Sequence, residues 1–265
     1  MSQATAEMKS LYAFVERNFN LVKRYLGWEI VFMVYNIVNA LTIGFIGVTQ
    51  GKETVLYLVV GAMIWGFLSI LFHEVSESVS WERWEGTIEY TFMAPVHRFT
   101  HLAGMCLYAI IYGIIRTIVL LGAVVIFFSL SLENANFLAA LVILVVSSFS
   151  FIGLGLIAAV LPLMSPEKGS QATHIFQALL LLISGVYYET SILPSWIRPL
   201  SVVSPATYTL RSMRAALLEG RPLAEMLGTL LFLLATGFLL IPLGVFIFHQ
   251  AEIYAKKSGK LKRSG

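Results

Sequence analysis

Apolar runs separated by short polar breaks organise this chain. Before the first run, Leu11, Phe14, Val15, Val22 and Leu26 recur at helical spacing among Glu16, Arg17, Lys23 and Arg24. This pattern predicts an amphipathic helix over residues 5–26, either in a membrane interface or docked on the rest of the protein. Apolar runs then occupy 28–48, 55–79, 102–130, 137–163, 172–187 and 227–248. A membrane span needs about 20 apolar residues, so the six runs predict six transmembrane helices. The third is long enough to tilt or to begin outside the hydrocarbon, the fifth is brief, and Pro242 predicts a kink in the sixth. Residues 49–54 and 131–136 read as outer turns, and 164–170 as an inner loop. Ser147, Ser148, Ser150, Gly153 and Gly155 predict close helix approach in the fourth span, and Asn36 and Asn39 predict an inward or partner-facing side of the first.

Two stretches break the alternation. In residues 81–95, Glu82, Arg83, Glu85 and Glu89 cannot lie in hydrocarbon unless paired, so the chain leaves the bilayer there. Gly86 predicts the end of one helix, Thr87 the side-chain cap of the next, and Glu89 an acid in its first turn. Pro95 disfavours a helical Ala94 and closes the segment. The reading is one to two turns of helix presenting Ile88, Tyr90, Met93 and several acids, with a plain loop as the alternative. The second stretch, 189–221, carries Pro194, Pro199, Pro205 and four arginines yet is half apolar. Ser204 as cap, Pro205 at the first position and Gly220 beyond the end frame a helix of about four turns with Leu210, Met213 and Leu217 as its apolar stripe. A re-entrant or interfacial helix pair follows, tolerated where protein buries its backbone.

Composition agrees with a membrane protein. Of 265 residues, 58% are apolar and 12% charged, against about 25% charged in soluble domains. The expected fold is an all-α polytopic membrane protein forming one domain, with no length left for a soluble catalytic unit. Cys106 is the single cysteine, so no intrachain disulfide can form, and the polar first residues do not read as a signal peptide. The net charge of +3 matters less than its distribution. With six spans, one side collects the cations of the N-terminal helix, Arg83, Arg98, Lys168 and the tail, twelve in all, and the other Lys52 and the four arginines of 189–221. The positive-inside rule then predicts both termini in the cytosol, residues 81–95 cytosolic and 189–221 external. The tail, Lys256, Lys257, Lys260, Lys262 and Arg263, is of a type that meets anionic lipid.

Candidate chemistry is sparse. His73 and Glu77 share a helix face beside Glu74, which is half of a metalloprotease pattern; the other reading is a helix end whose charges pair with Arg83 or Arg98. A membrane-embedded enzyme or metal site would rest on these three. Arg116, the only cation within an apolar run, is either paired to an acid on a neighbouring helix, the preferred reading, or set in a wet cavity wall, as in an ion-coupled carrier. No phosphate-cradling loop of the form Gly-x-x-x-x-Gly-Lys-Ser/Thr and no Gly-x-Ser-x-Gly occurs, so the chain is not expected to hydrolyse ATP or to be catalytic itself.

Two motifs carry a resemblance. Glu85-Gly86-Thr87-x-Glu89 followed by Ala94-Pro95 resembles the cytoplasmic coupling segment of ABC-2-type exporter permeases. Ser184-Gly185-Val186-Tyr187-Tyr188, Leu193-Pro194-Ser195-Trp196 and Ser204-Pro205-Ala206-Thr207-Tyr208, then Arg211 and Arg214, resemble that family's outer segment, with Ser204 where Asn is commoner. The resemblance implies a permease subunit without a bound cofactor, driven by ATP and Mg on a separate nucleotide-binding ATPase subunit. That subunit would dock on Glu82, Glu85, Gly86, Thr87, Glu89 and Pro95. It also implies a second permease chain, a homodimer or a pairing with a related chain, in the cell membrane, with lipid and no nucleic acid among its partners. The substrate path would run along the second and fifth spans, where Phe67, Phe72, Phe176, Leu180 and Ile183 suit an amphiphile such as a drug, antibiotic or lipid. The alternative is a saccharide-lipid exporter of the same family.

Overall fold

A computed structural model describes residues 3–259, the side chains of residues 3, 4, 166, 167 and 170 excepted. Among these residues every regular element is a helix, with no strand. The elements are α1 (Gln3–Arg24), α2 (Leu26–Val48), α3 (Lys52–Glu85), α4 (Ile88–Met93), α5 (Arg98–Phe128), α6 (Phe137–Ala158), α7 (Val160–Met164), α8 (Pro166–Ser184), α9 (Arg198–Val203), α10 (Pro205–Leu218) and α11 (Leu227–Lys257). Five helices among the described residues are long and apolar enough to cross a membrane: α2, α3, α5, α6 with α7, and α11 with its short lead-in; within α8 the apolar part, Gln171–Ser184, is shorter.

The central helix is α3. It packs on α2, α5, α6, α8 and α10, and Val59, Met63, Phe67, Ile64, Leu68 and Phe72, which together cover more than half of its circumference, are buried. A helix apolar all round belongs in such a place. Its 34 residues extend about 51 Å at 1.5 Å each, well beyond the hydrocarbon thickness. The apolar pattern stops at Val79, but the helix runs on to Glu85 because nothing before Gly86 breaks it. Residues 81–85 are therefore the last turn of α3 rather than a separate element.

Helix α1 forms as expected and is docked rather than floating. Val15 packs with Tyr108 and Tyr112 of α5, Phe19 meets the Tyr108 ring edge-on at 5.1 Å, and Phe14 meets His101 at 4.8 Å. The seam between α6 and α11 is tight. Ser150 donates to the Leu233 carbonyl at 2.7 Å, and Gly153 lies directly under Leu240. Small residues there allow the two backbones to approach. Gly155 instead faces α3, while Ser147 and Ser148 bond back to Leu144 in their own helix.

Several boundaries differ from the sequence expectation. The fourth span breaks at Ala159 into α6 and α7, because Pro162 supplies no N–H and crowds the carbonyl four residues before it. Residues 166–170, expected in a loop, form the first turn of α8, for which Pro166 is suited as a helix start. Helix α11 passes through Pro242 without interruption and continues to Lys257. Of the basic tail, Lys256 and Lys257 close α11, and Lys260, Lys262 and Arg263 lie outside the described residues.

At the far end from α4, α10 begins at Pro205 and ends before Gly220, as expected, with Leu210, Met213 and Leu217 buried against α3 and α6. Ser204 is the N-cap residue but makes no side-chain cap; its hydroxyl lies 3.1 Å from that of Ser184 at the end of α8. Arg214 is buried. Its guanidinium donates to the carbonyls of Val186 at 2.5 Å and Gly185 at 3.2 Å and lies 3.5 Å over the Tyr57 ring. One side chain thus joins α10, the end of α8 and the start of α3.

Candidate functional site

The junction between α3 and α4 is built by local signals. Gly86 is left-handed, with φ +75°. This lets its N–H reach the Arg83 carbonyl at 3.3 Å while the Thr87 N–H reaches that of Glu82 at 2.9 Å, closing the helix with two of its end carbonyls satisfied. Thr87 does not cap α4 as expected. Its backbone is helical, and its hydroxyl turns back to donate to the Glu82 carbonyl at 3.4 Å. Ala94 is extended before Pro95, which ends α4 after six residues.

Spacing by four decides which face of α4 is buried. Ile88 and Phe92 point into the protein among Val79, Leu102 and Met105. Ile88, expected on the surface, is therefore core. Tyr90 and Met93 are 77% and 82% exposed, and Trp84 on the last turn of α3 is 68% exposed. Glu85, Thr87, Glu89 and Pro95 are exposed beside them. The junction thus offers solvent an apolar patch edged by acids.

Two buried carboxylates fasten this junction. Glu82 is only 3% exposed and does not belong to the exposed patch. Its Oε1 accepts from Arg17 of α1 at 2.8 Å and lies 3.3 Å from His101 Nε2 of α5. The second is Glu252 on α11. Arg98 donates to it from Nε at 3.0 and 3.2 Å, and Lys256 donates at 2.6 Å. The same Arg98 donates from Nη1 to the Thr91 carbonyl at 2.8 Å and from Nη2 to the Phe92 carbonyl, and lies over the Phe92 ring. It satisfies the free carbonyls at the end of α4 and places a cation where the helix dipole favours one. The sequence reading missed this grip. Arg98 and Glu252 look like ordinary interfacial charges, and their only local sign is that Glu252 is the one acid near a cationic tail.

Within the bundle, a groove of about 670 Å³ opens between α2, α3, α5 and α8. Asn36, Asn39, Phe67, His73, Glu74, Arg116, His174 and Gln177 line it. Arg116 donates to the Tyr112 hydroxyl at 2.7 Å, and that hydroxyl donates to Glu29 at 2.5 Å. The expected acid partner is therefore reached through a tyrosine, on the wall of the groove. His73 stacks on His174 at 5.4 Å, and Arg98, one of the cations expected to pair with this helix end, binds Glu252 of α11. Among the described residues, no three His, Cys, Asp or Glu side chains are placed to hold a metal ion. Of the path candidates, Phe72 stacks on Phe176 at 5.5 Å and packs with Leu180 and Ile183. Only Phe176 of these is exposed, and Phe67 is buried against Gly113 of α5.

An all-helical bundle with several helices long and apolar enough to cross a membrane is the architecture of a multi-pass membrane protein. Comparison with known families agrees: the profile described as ABC-2 type transporter matches residues 9–218, and the chain belongs to that family. None of the curated proteins compared with it matches.

Proposed function

We propose that the chain is an export permease driven by ATP hydrolysed on a separate subunit, which docks on the exposed patch of α4 and the last turn of α3. The observation that carries this reading is the mechanical connection of that patch. A force on α4 passes through Arg98 to α11 and through Ile88 and Phe92 to α5, while Glu82 holds the end of α3 to α1 and α5. A six-residue helix alone would fray; held this way it moves with the spans. In this reading α8 is the fifth of six spans and α11 the sixth, both termini and α4 are cytosolic, and α9 and α10 lie in the outer leaflet. Two copies form the working unit. The cargo is an amphiphile that leaves the inner leaflet along the groove beside α2, α3 and α8.

The test is co-expression with an ATPase subunit encoded beside it, followed by co-purification and reconstitution. The expected result is that Glu85→Arg and Gly86→Pro leave the chain in the membrane but sever ATP hydrolysis from export. Export by the chain alone would overturn the reading.

A further inference from the structure

The export reading leaves the cargo open, and one cavity narrows it. About 350 Å³ lie beneath α1, between it, the start of α2, the lower turns of α3 and Tyr108 of α5. Five carboxylates line this space: Glu29, Glu74, Glu77, Glu82 and Glu85. Among the described residues, the only Lys or Arg in the lining is Arg17, which is held by Glu82. Arg116 stands just behind and reaches Glu29 through the Tyr112 hydroxyl. The acids thus outnumber the guanidiniums five to two. Glu82 is 97% buried, and its Oε2 has no partner among the described residues. A buried carboxylate oxygen left in that state is costly unless something supplies a donor or a positive charge.

The walls between the acids are apolar and aromatic, from Trp81, Tyr108, Leu21 and Val22. Aromatic faces attract organic cations, most strongly where water is excluded. Glu74 lines both this cavity and the 670 Å³ groove, so the two spaces meet at one carboxylate. We infer that this cavity is the cytosolic-side binding site for an amphiphilic organic cation, whose charge rests among Glu29, Glu74 and Glu77 and whose apolar body extends toward the groove. A lipid headgroup amine fits less well, because its neighbouring phosphate would face the same acids. The binding site rests on the export reading only for its role as the first station of the cargo.

The experiment compares two ions of equal shape and opposite charge. Tetraphenylphosphonium and tetraphenylborate are titrated into the purified full chain in a neutral detergent, with tryptophan fluorescence or calorimetry as readout. The expected result is phosphonium binding at least about tenfold tighter than borate. Glu74→Gln combined with Glu77→Gln should weaken phosphonium binding by about tenfold or more. Ser78→Arg, on the cavity wall, should do the same while keeping every acid, and it decides the matter if the double substitution fails to fold. Equal binding of the two ions, or a cation preference unchanged by Ser78→Arg, overturns the inference. No ATPase takes part, so failure here leaves the export reading standing, and failure of ATPase coupling leaves the cation site standing.

Discussion

Arg98 and Glu252 are 154 residues apart in the chain and 3.0 Å apart in space. Because Arg98 also holds the Thr91 and Phe92 carbonyls, its guanidinium is shared between the end of α4 and the foot of α11. Removing it leaves a buried carboxylate with Lys256 as its remaining close cation and uncovers the end of a helix. Arg98→Ala should cost about 3 kcal/mol of stability. Glu252→Gln should cost less, because it removes a buried charge along with the pair. Thermal melting in detergent measures both, and the order of the two losses is the result to check. Arg98→Lys keeps the charge but not the planar fork, so it should fall between wild type and alanine.

Glu82 predicts a second coupling. It is bonded to Arg17 on α1, while His101 approaches the same oxygen from α5. A double-mutant cycle with Arg17→Ala and Glu82→Ala should return an interaction of about 1–2 kcal/mol. Arg17 is itself partly exposed, so the value should shrink as salt is raised. A coupling near zero at low salt would show that α1 is held by its apolar face and the Thr100–Glu7 hydrogen bond, without help from the ion pair.

What was legible in the sequence was what neighbouring residues decide. Gly86 stops α3 and Pro95 stops α4 through backbone geometry that needs no distant partner. Pro205 and Gly220 frame α10 for the same reason. The burial of Ile88 went against the expectation that it is presented with Tyr90 and Met93, although Phe92 one turn on makes an apolar pair with it on α4. The burial of Glu82 was not legible. Its partners lie 65 residues before it and 19 after it, and no periodicity records such a meeting. The same holds for Arg98 with Glu252, and for Arg116, whose acid is reached through a tyrosine. The apolar pattern also marks where hydrocarbon would end rather than where a helix ends, which is why α3 overruns its expected span.

The seam of α6 on α11 gives a contrast between glycines. A Cβ on Gly153 would lie 2.5 Å from the Leu240 Cβ and 2.8 Å from the Leu240 backbone carbon. Backbone cannot give as a side-chain tip can, so Gly153→Ala should push the helices apart and cost about 1–3 kcal/mol. Gly122 and Gly228 have nothing within 4 Å of such a Cβ. Alanine at either of them should be neutral or mildly stabilising in the same melting experiment.

Arg214 carries the last prediction. Its guanidinium occupies the space left where α3 has Gly61 and faces the carbonyls of Gly185 and Val186. Three acceptors and an aromatic face are served by one planar group, and lysine has no equivalent geometry. Arg214→Lys should therefore loosen residues 185–221 while the bundle below them stays folded. Limited proteolysis reads this directly: cleavage between residues 189 and 221 should rise several-fold over wild type, with melting lowered by about 1–3 kcal/mol. Gly61→Ala should open the same segment from the opposite side, because a methyl group there collides with the Val186 carbonyl and with the guanidinium. Unchanged cleavage in both would mean that α10 is held by its apolar stripe and by the Asn136 N–H on the Ala216 carbonyl, with Arg214 no more than a well-filled gap.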